Sequence, residues 1–395
     1  MRAAALYLAM SSAFGASSTT WEMSNYQDFL RGRFQGVSLT RDGRLNVAPK
    51  LDTLWASDQP VVWSMVRAGD GTVYAATGHR GRVYQIDKTG KASLLWTAPQ
   101  PEVFALALDA KGVLFAATSP DGAVYRIENG KASEYYSPHA KYLWAMAVDS
   151  RGVLYVGSGE QGRIFRVEPT GKGEVYYETG QAHVTSLALD GQGRLLAGSE
   201  PNGILYRVTA KDKAFVLYDA NLPEIRAIVP MADGSIYASA LGGSLARRAQ
   251  SAQQAAQAAG TGAVTPITTI TVTADSQGGT DIKPPQPQDP AKQAQQAAAT
   301  ATVTSQLTTA VDVSGVEKSA VYRIFPDNTV ETLWSSKEEN VYDILPRSGQ
   351  LLFSTDSNGR IYSMSPDRKV TLLTQTNESE ATRLIAGTGG DVLAS

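Results

Sequence analysis

A unit of about 41 residues recurs along this 395-residue chain, and that period limits its fold more than any other feature. Seven segments open the unit: Trp63-Ser64-Met65, Phe104-Ala105-Leu106, Trp144-Ala145-Met146, Thr185-Ser186-Leu187, Arg226-Ala227-Ile228, Tyr342-Asp343-Ile344 and Thr382-Arg383-Leu384. A turn glycine follows each (Gly71, Gly112, Gly152, Gly193, Gly234, Gly349, Gly389), at intervals of 41, 40, 41, 41, 115 and 40 residues. The long interval is one period plus about 74 inserted residues.

The third unit shows the internal order. An apolar run from Trp144 to Val148 meets the turn Asp149-Ser150-Arg151-Gly152, and a second run, Val153 to Gly157, ends before Gly159-Glu160-Gln161-Gly162. A third run from Arg163 to Val167 reaches Pro169-Thr170-Gly171, and a fourth is Glu174 to Tyr177. Short β-branched or aromatic runs punctuated by glycine predict four antiparallel strands joined by tight hairpins. A sheet that is apolar on both faces needs radial stacking to bury them. The expectation is an all-β chain, a seven-bladed β-propeller of four-stranded antiparallel blades over residues 51–395. Aromatic residues usually precede the small Ser64, Ala105, Ala145, Ser186 and Ala227, as strands tapering to a crowded axis require.

The ends and the insertion depart from the period. Leu51-Asp52-Thr53-Leu54-Trp55 matches the fourth-strand column, as in Leu94-Leu95-Trp96, and is expected to complete the last blade from outside. The seventh unit has reached only its second strand at Ser395, so the last blade is expected to be incomplete: the natural chain continues, or six blades and a remnant suffice. Residues 1–16 have the order of a secretory signal, with Arg2, a short apolar stretch and small residues before a cleavage point after Gly15. Residues 17–50 form an N-terminal lead. Residues 245–318 shift to Ala, Gln, Thr and Pro with few large apolar groups, which predicts a disordered low-complexity insertion between the second and third strands of the fifth unit.

Composition removes several function classes. With 36 Lys+Arg against 38 Asp+Glu and no basic block, the main driving force for nucleic-acid binding is missing. The absence of cysteine excludes disulfides, a thiolate nucleophile and Cys-ligated metals. The three histidines, His79, His139 and His183, have no helical metal-ligand spacing, and no apolar run is long enough for an integral membrane span. No nucleophile elbow, phosphate-cradling loop or paired-carboxylate motif occurs.

The stretch from Asp149 to Ser158, followed by Gly162-Arg163-Ile164-Phe165-Arg166-Val167, resembles the blade repeat of NHL, gluconolactonase/regucalcin-like and bacterial two-component-regulator-type propellers. The resemblance covers roughly residues 51–244 and 319–395 and selects no single family. The repeat lacks the Gly-His and Trp-Asp pairs of true WD repeats. Asp87-Lys88-Thr89-Gly90 before Trp96 resembles the docking motif of quinoprotein propellers, but the spacing does not recur, so no quinone cofactor is expected.

Three positions before the small first-strand residue stand Val61, Glu102, Tyr142, His183, Glu224, Asn340 and Glu380. The six polar or aromatic members, Glu102, Tyr142, His183, Glu224, Asn340 and Glu380, form the candidate ligand-binding ring on the channel face. The regucalcin-like resemblance implies a ring of Glu, Asn and Asp holding a divalent cation that activates water. Without a convincing catalytic set, the leading expectation is a non-catalytic, exported bacterial propeller, monomeric and without a cofactor. It would bind a protein, peptide or glycan at the channel face, as the sensor part of a longer chain. The alternative is a metal-dependent lactonase or lyase of the regucalcin-like type.

Overall fold

The structure, a computed structural model, describes residue 20 and residues 22–242 and 317–395. Among the described residues, six four-stranded antiparallel blades follow one another along the chain, the sixth as part of a six-stranded sheet. The first blade is Val62–Arg67, Val73–Thr77, Arg82–Ile86 and Ala92–Thr97; the second is Glu102–Leu108, Leu114–Ser119, Gly122–Glu128 and Lys131–Ala140. Leu143–Val148, Leu154–Ser158, Arg163–Val167 and Gly173–Glu178 make the third, and His183–Leu189, Leu195–Glu200, Ile204–Ala210 and Lys213–Asp219 the fourth. The fifth comprises Glu224–Pro230, Ile236–Leu241, Ser319–Ile324 and Val330–Ser336, and the sixth Val341–Arg347, Gln350–Thr355, Arg360–Met364 and Val370–Gln375. A seventh sheet has two strands, Leu384–Ala386 and Val392–Ala394. Its first strand touches the first strands of both the sixth and the first blade, which closes the ring. Leu384 donates its N–H to Asp343 Oδ2 at 2.8 Å on one side, and Thr382 Oγ1 donates to the Val62 carbonyl at 3.1 Å on the other.

The aspartates that open the first hairpins explain the repeated turn. Asp149 Oδ1 accepts the N–H groups of Arg151 and Val153, and Asp190 Oδ1 those of Gln192 and Arg194, all at 2.9–3.0 Å. These Asx turns hold the chain while the following glycine takes positive φ. Blades are joined at their outer strands by aromatic pairs. Trp96 packs on Tyr125 (centroids 4.8 Å apart), Tyr136 on Phe165 (5.9 Å), Tyr177 on Tyr206 (5.9 Å) and Tyr218 on Tyr322 (4.8 Å).

One expectation needs correction. Leu51–Trp55 is not a strand, because the seventh sheet has no third strand to offer it a ladder. Trp55 nevertheless sits where a fourth-strand aromatic should, 4.7 Å from the Tyr84 ring. The lead instead contributes a hairpin, Val37–Thr40 and Leu45–Val47, which adds to the outer edge of the sixth blade through Leu39↔Leu372 and Thr40↔Thr371. Burial of Phe34 and Leu39 with Trp334, Phe353 and Tyr362 drives that docking. Gly242 donates to the Lys318 carbonyl at 2.5 Å and Lys318 to the Ser336 carbonyl at 2.7 Å, just beyond the ends of the fifth blade's second and third strands. Residues 243–316, the second compact unit (Ala246–Gly315) and the signal at 1–16 lie outside the described residues.

One glycine position is fixed by the ring itself. Gly81, Gly162, Gly203 and Gly359 all have positive φ at the turn between second and third strands, where the next interblade connection crosses. A Cβ on Gly203 would overlap the Leu222 carbonyl oxygen, whereas one on Gly180, also at positive φ (+69°), would meet nothing within 4 Å. Gly180→Ala is expected to cost about 1 kcal/mol of stability, and Gly203→Ala more than about 3 kcal/mol, because strain and overlap add there. Equal denaturation midpoints for the two variants would contradict this packing.

Candidate functional site

The first strand of each blade carries a local irregularity that builds the channel. In the first blade Val62 pairs with Thr77 and Ser64 with Ala76, leaving Trp63 as a bulged residue. The same skip leaves Phe104, Trp144, Thr185, Arg226 and Tyr342 unpaired in the next five blades. A bulge re-aims the side chain that it inserts. Five of these six residues, all but Tyr342, line a central cavity of about 670 Å³ to which all seven first strands contribute.

The rings form a continuous arc on one side. Trp63 and Phe104 have centroids 5.2 Å apart, Phe104 and Trp144 4.6 Å, and Tyr142 stacks on Trp144 at 4.9 Å with 17° between planes. Two equivalent clamps, 81 residues apart, pin the indoles. Trp63 Nε1 donates to Glu102 Oε2 at 2.7 Å, and the His79 N–H donates to Glu102 Oε1 at 3.0 Å. Trp144 Nε1 donates to His183 Nδ1 at 3.1 Å, and the Glu160 N–H reaches the same nitrogen at 3.4 Å. Because Nδ1 accepts, the neutral His183 ring carries its proton on Nε2. Gly78 and Gly159 make room for the clamps: a Cβ would lie 2.6 Å from Trp63 Nε1 in the first and 2.5 Å from Trp144 Nε1 in the second.

The opposite side is ionic. Glu200, Glu224, Arg226, Asp343 and Arg383 line it. Glu224 is nine-tenths buried, with Arg226 Nη1 3.4 Å from its Oε1. Burial pushes the Glu224 carboxyl above the usual carboxylate range; Arg226 pulls it down and the nearby Glu200 pushes it further up. Asp343 accepts the N–H groups of Ile344 (3.0 Å) and Leu384 (2.8 Å), and Arg383 Nε stands 3.6 Å from it.

A carboxyl with a raised folded-state pKa binds its proton more tightly in the folded than in the unfolded chain, so its contribution to stability is full at low pH and lost as pH rises through that pKa. Glu224→Gln is therefore expected to match or exceed the native melting temperature at pH 8, and to lose any advantage near pH 4. Thermal unfolding across that range checks the sign; a variant less stable at pH 8 with an unchanged pH slope would refute it.

Of the six residues singled out from sequence, Glu102 and Glu224 line the cavity. His183 and Tyr142 support the Trp144 ring from its rim, with Lys141 Nζ 5.0 Å from the Tyr142 centroid. Asn340 is buried and bound to Asp356 through its own N–H (2.8 Å) and Nδ2 (2.6 Å). Glu380 is exposed on the connection into the seventh sheet. The three glutamates do not converge as cation ligands: both Glu102 oxygens are engaged by N–H donors and Glu224 faces Arg226. Among the described residues no group of three or more His, Cys, Asp or Glu is placed to hold a metal ion. Sequence reasoning missed Trp63, Phe104, Trp144, Arg226, Asp343 and Arg383 as channel residues. Their signals were the aromatic column and the two places, Asp343 and Arg383, where the small-residue column is broken by charge.

No protein-family model and no curated protein matches the chain. Solved structures do. A streptogramin B lyase superposes with a TM-score of 0.59 at 12% identity, covering 86% of this chain and 92% of that one. The WD40 propeller domain of Doa1 gives 0.57 at 12% identity over 91% and 94%. The extracellular domain of a protein described as a hybrid two component system, from B. thetaiotaomicron, gives 0.56 at 9% identity over 86% of this chain and 37% of that one. The chain is thus a β-propeller protein; its described residues form six four-stranded blades and a two-stranded seventh sheet. Within that class it stands close to no single family, and likeness at these identities shows the fold alone. No helix among the described residues is long and apolar enough to cross a membrane.

Proposed function

We propose that this chain is an exported, non-catalytic propeller that binds a peptide, protein or glycan on its channel face, as the sensor part of a longer chain. The observation that carries this reading is the aromatic arc Trp63–Phe104–Trp144, re-aimed by bulges into the cavity and pinned by the Glu102 and His183 clamps. Pre-positioned aromatic rings supply large contact area at little ordering cost, the usual form of a binding hot spot. Export is supported by the order of residues 1–16 and by likeness to an extracellular propeller domain.

The test is a binding panel of peptides and oligosaccharides run on the native chain and on a Trp63→Ala/Trp144→Ala double variant. The reading expects at least one ligand that the native chain binds and the double variant does not. Ligands bound equally by both would overturn it. A lactone and sugar-acid panel run in parallel addresses the lactonase or lyase alternative: turnover abolished by Glu224→Gln would replace binding with catalysis.

A further inference from the structure

Two donors converge on a single atom of His183. Its Nδ1 accepts the Trp144 indole N–H at 3.1 Å and the Glu160 backbone N–H at 3.4 Å. In the first blade the equivalent donors, the Trp63 indole and the His79 backbone N–H, go to the two separate oxygens of Glu102 at 2.7 and 3.0 Å. The clamps differ in chemistry. A carboxylate offers several lone pairs and a neutral imidazole one, but an imidazolium offers none, because both of its nitrogens are donors. Turning the ring over restores no acceptor. The Gly159 backbone crowds the ring as well, since a Cβ there would stand 2.8 Å from Nδ1.

An imidazole is also the side chain whose charge ordinarily changes between about pH 5 and 8. Charged and titratable groups face it from each neighbouring element. The third blade presents Tyr142 and Glu160, the latter paired with Lys141 at 3.1 Å, and Glu200 lies opposite His183 in the ladder of the fourth blade. The first strand of the fifth blade brings Glu224, with Arg226 3.4 Å away. These groups set where on the pH scale the proton arrives. The two converging donors set what it does.

We infer that His183 is a proton-operated latch on the channel. On protonation it lets go of Trp144 and of the Glu160 turn, loosening one end of the aromatic arc while the Glu102 clamp holds Trp63 at the other. His79 does not duplicate the device. Its Nδ1 stands 3.4 Å from Glu102 Oε1, so a proton there adds a cation beside a carboxylate that keeps its acceptors. The consequence, a ligand held at neutral pH and released in acid, rests on the channel-binding reading above; the latch itself involves no ligand.

The test follows the isotope-labelled native chain, without ligand, by nuclear magnetic resonance from about pH 8 to about pH 5. The Trp144 indole N–H and the Glu160 backbone N–H are expected to shift together along one titration curve, with the Trp63 indole nearly still. Hydrogen exchange at the Trp144 indole relative to Trp63, a ratio that cancels the intrinsic pH dependence, is expected to rise about fivefold over the same range. His183→Gln, whose amide oxygen accepts at every pH, is expected to flatten both signals. His183→Glu, which copies the first clamp, serves the same purpose should the glutamine variant fold poorly. His139→Asn, at an exposed position of an outer strand, leaves the titration intact. A Trp144 signal that stays still with pH, or moves equally in His183→Gln, overturns the inference. The two readings fail separately: joint titration in a chain whose binding panel yields no tryptophan-dependent ligand would uphold the latch and reject the binding site, and a tryptophan-dependent ligand beside a flat Trp144 signal would do the reverse.

Discussion

Trp144→Ala is expected to weaken ligand binding about 30-fold, roughly 2 kcal/mol, the scale of a central aromatic hot spot. Trp144 occupies the middle of the arc, against Phe104 at 4.6 Å, stacked with Tyr142 at 4.9 Å, and edge-on to His183 at 5.8 Å. Its removal takes away a contact surface and leaves Tyr142 and Phe104 without the ring that fixes them. Trp144→Phe keeps most of the surface but loses the N–H bond to His183, so an intermediate loss is expected. The pair of variants separates surface from pinning, and isothermal titration against a ligand of the native chain measures both. Native affinity in Trp144→Ala would mean that the arc is cement between blades.

Glu339→Ala is expected to cost about 3–5 kcal/mol of stability, as removal of one member of a buried ion pair does. Glu339 Oε1 receives Arg360 Nη1 at 2.5 Å and Tyr362 Oη at 2.9 Å, and the Glu339 and Arg360 side chains are 5% and 7% exposed. Arg360 also reaches the Leu30 carbonyl at the end of the helix Tyr26–Leu30, so the pair ties the N-terminal lead to the sixth blade. With Glu339 gone, a desolvated guanidinium remains beside a tyrosine whose hydroxyl burial and Glu339 both hold far above its ordinary titration range. Glu339→Met with Arg360→Leu is expected to recover much of the loss, because apolar groups of similar volume replace the pair without stranding a charge. Denaturant unfolding checks the energies, and proteolysis within residues 22–48 checks the undocking. A single-variant loss under about 1 kcal/mol would contradict the account of this contact.

The blades were legible because a 41-residue period punctuated by glycine admits few alternatives to radially stacked hairpins. Strand partners within a blade followed directly, since each is adjacent in sequence. The docking of the lead was not legible. Asp42-Gly43 is a strong hairpin signal, but the Leu39↔Leu372 pairing spans more than 330 residues and leaves no local trace. Trp55 shows the opposite case: it packs on Tyr84 as a fourth-strand aromatic would, yet among the described residues no neighbouring strand offers it a ladder.

The site was hidden for a different reason. Simple alternation along a first strand sends neighbouring residues to opposite faces, but the bulge at Trp63, Phe104, Trp144, Thr185 and Arg226 breaks it and brings residues such as Trp63 and Ser64 to the same cavity. A column counted three residues upstream therefore marks the rim and the clamps, with Glu102 and Glu224 reaching inward and Asn340 and Glu380 serving other neighbourhoods.

The most direct measurement is the indole N–H spectrum during titration with a bound ligand. Trp63 and Trp144 face the channel, whereas Trp55, Trp96 and Trp334 pack at the outer strands. The account expects the Trp63 and Trp144 resonances to shift with saturation while the outer three stay still. Shifts confined to Trp55, Trp96 or Trp334 would place the ligand on the rim of the ring and contradict the channel as the binding site.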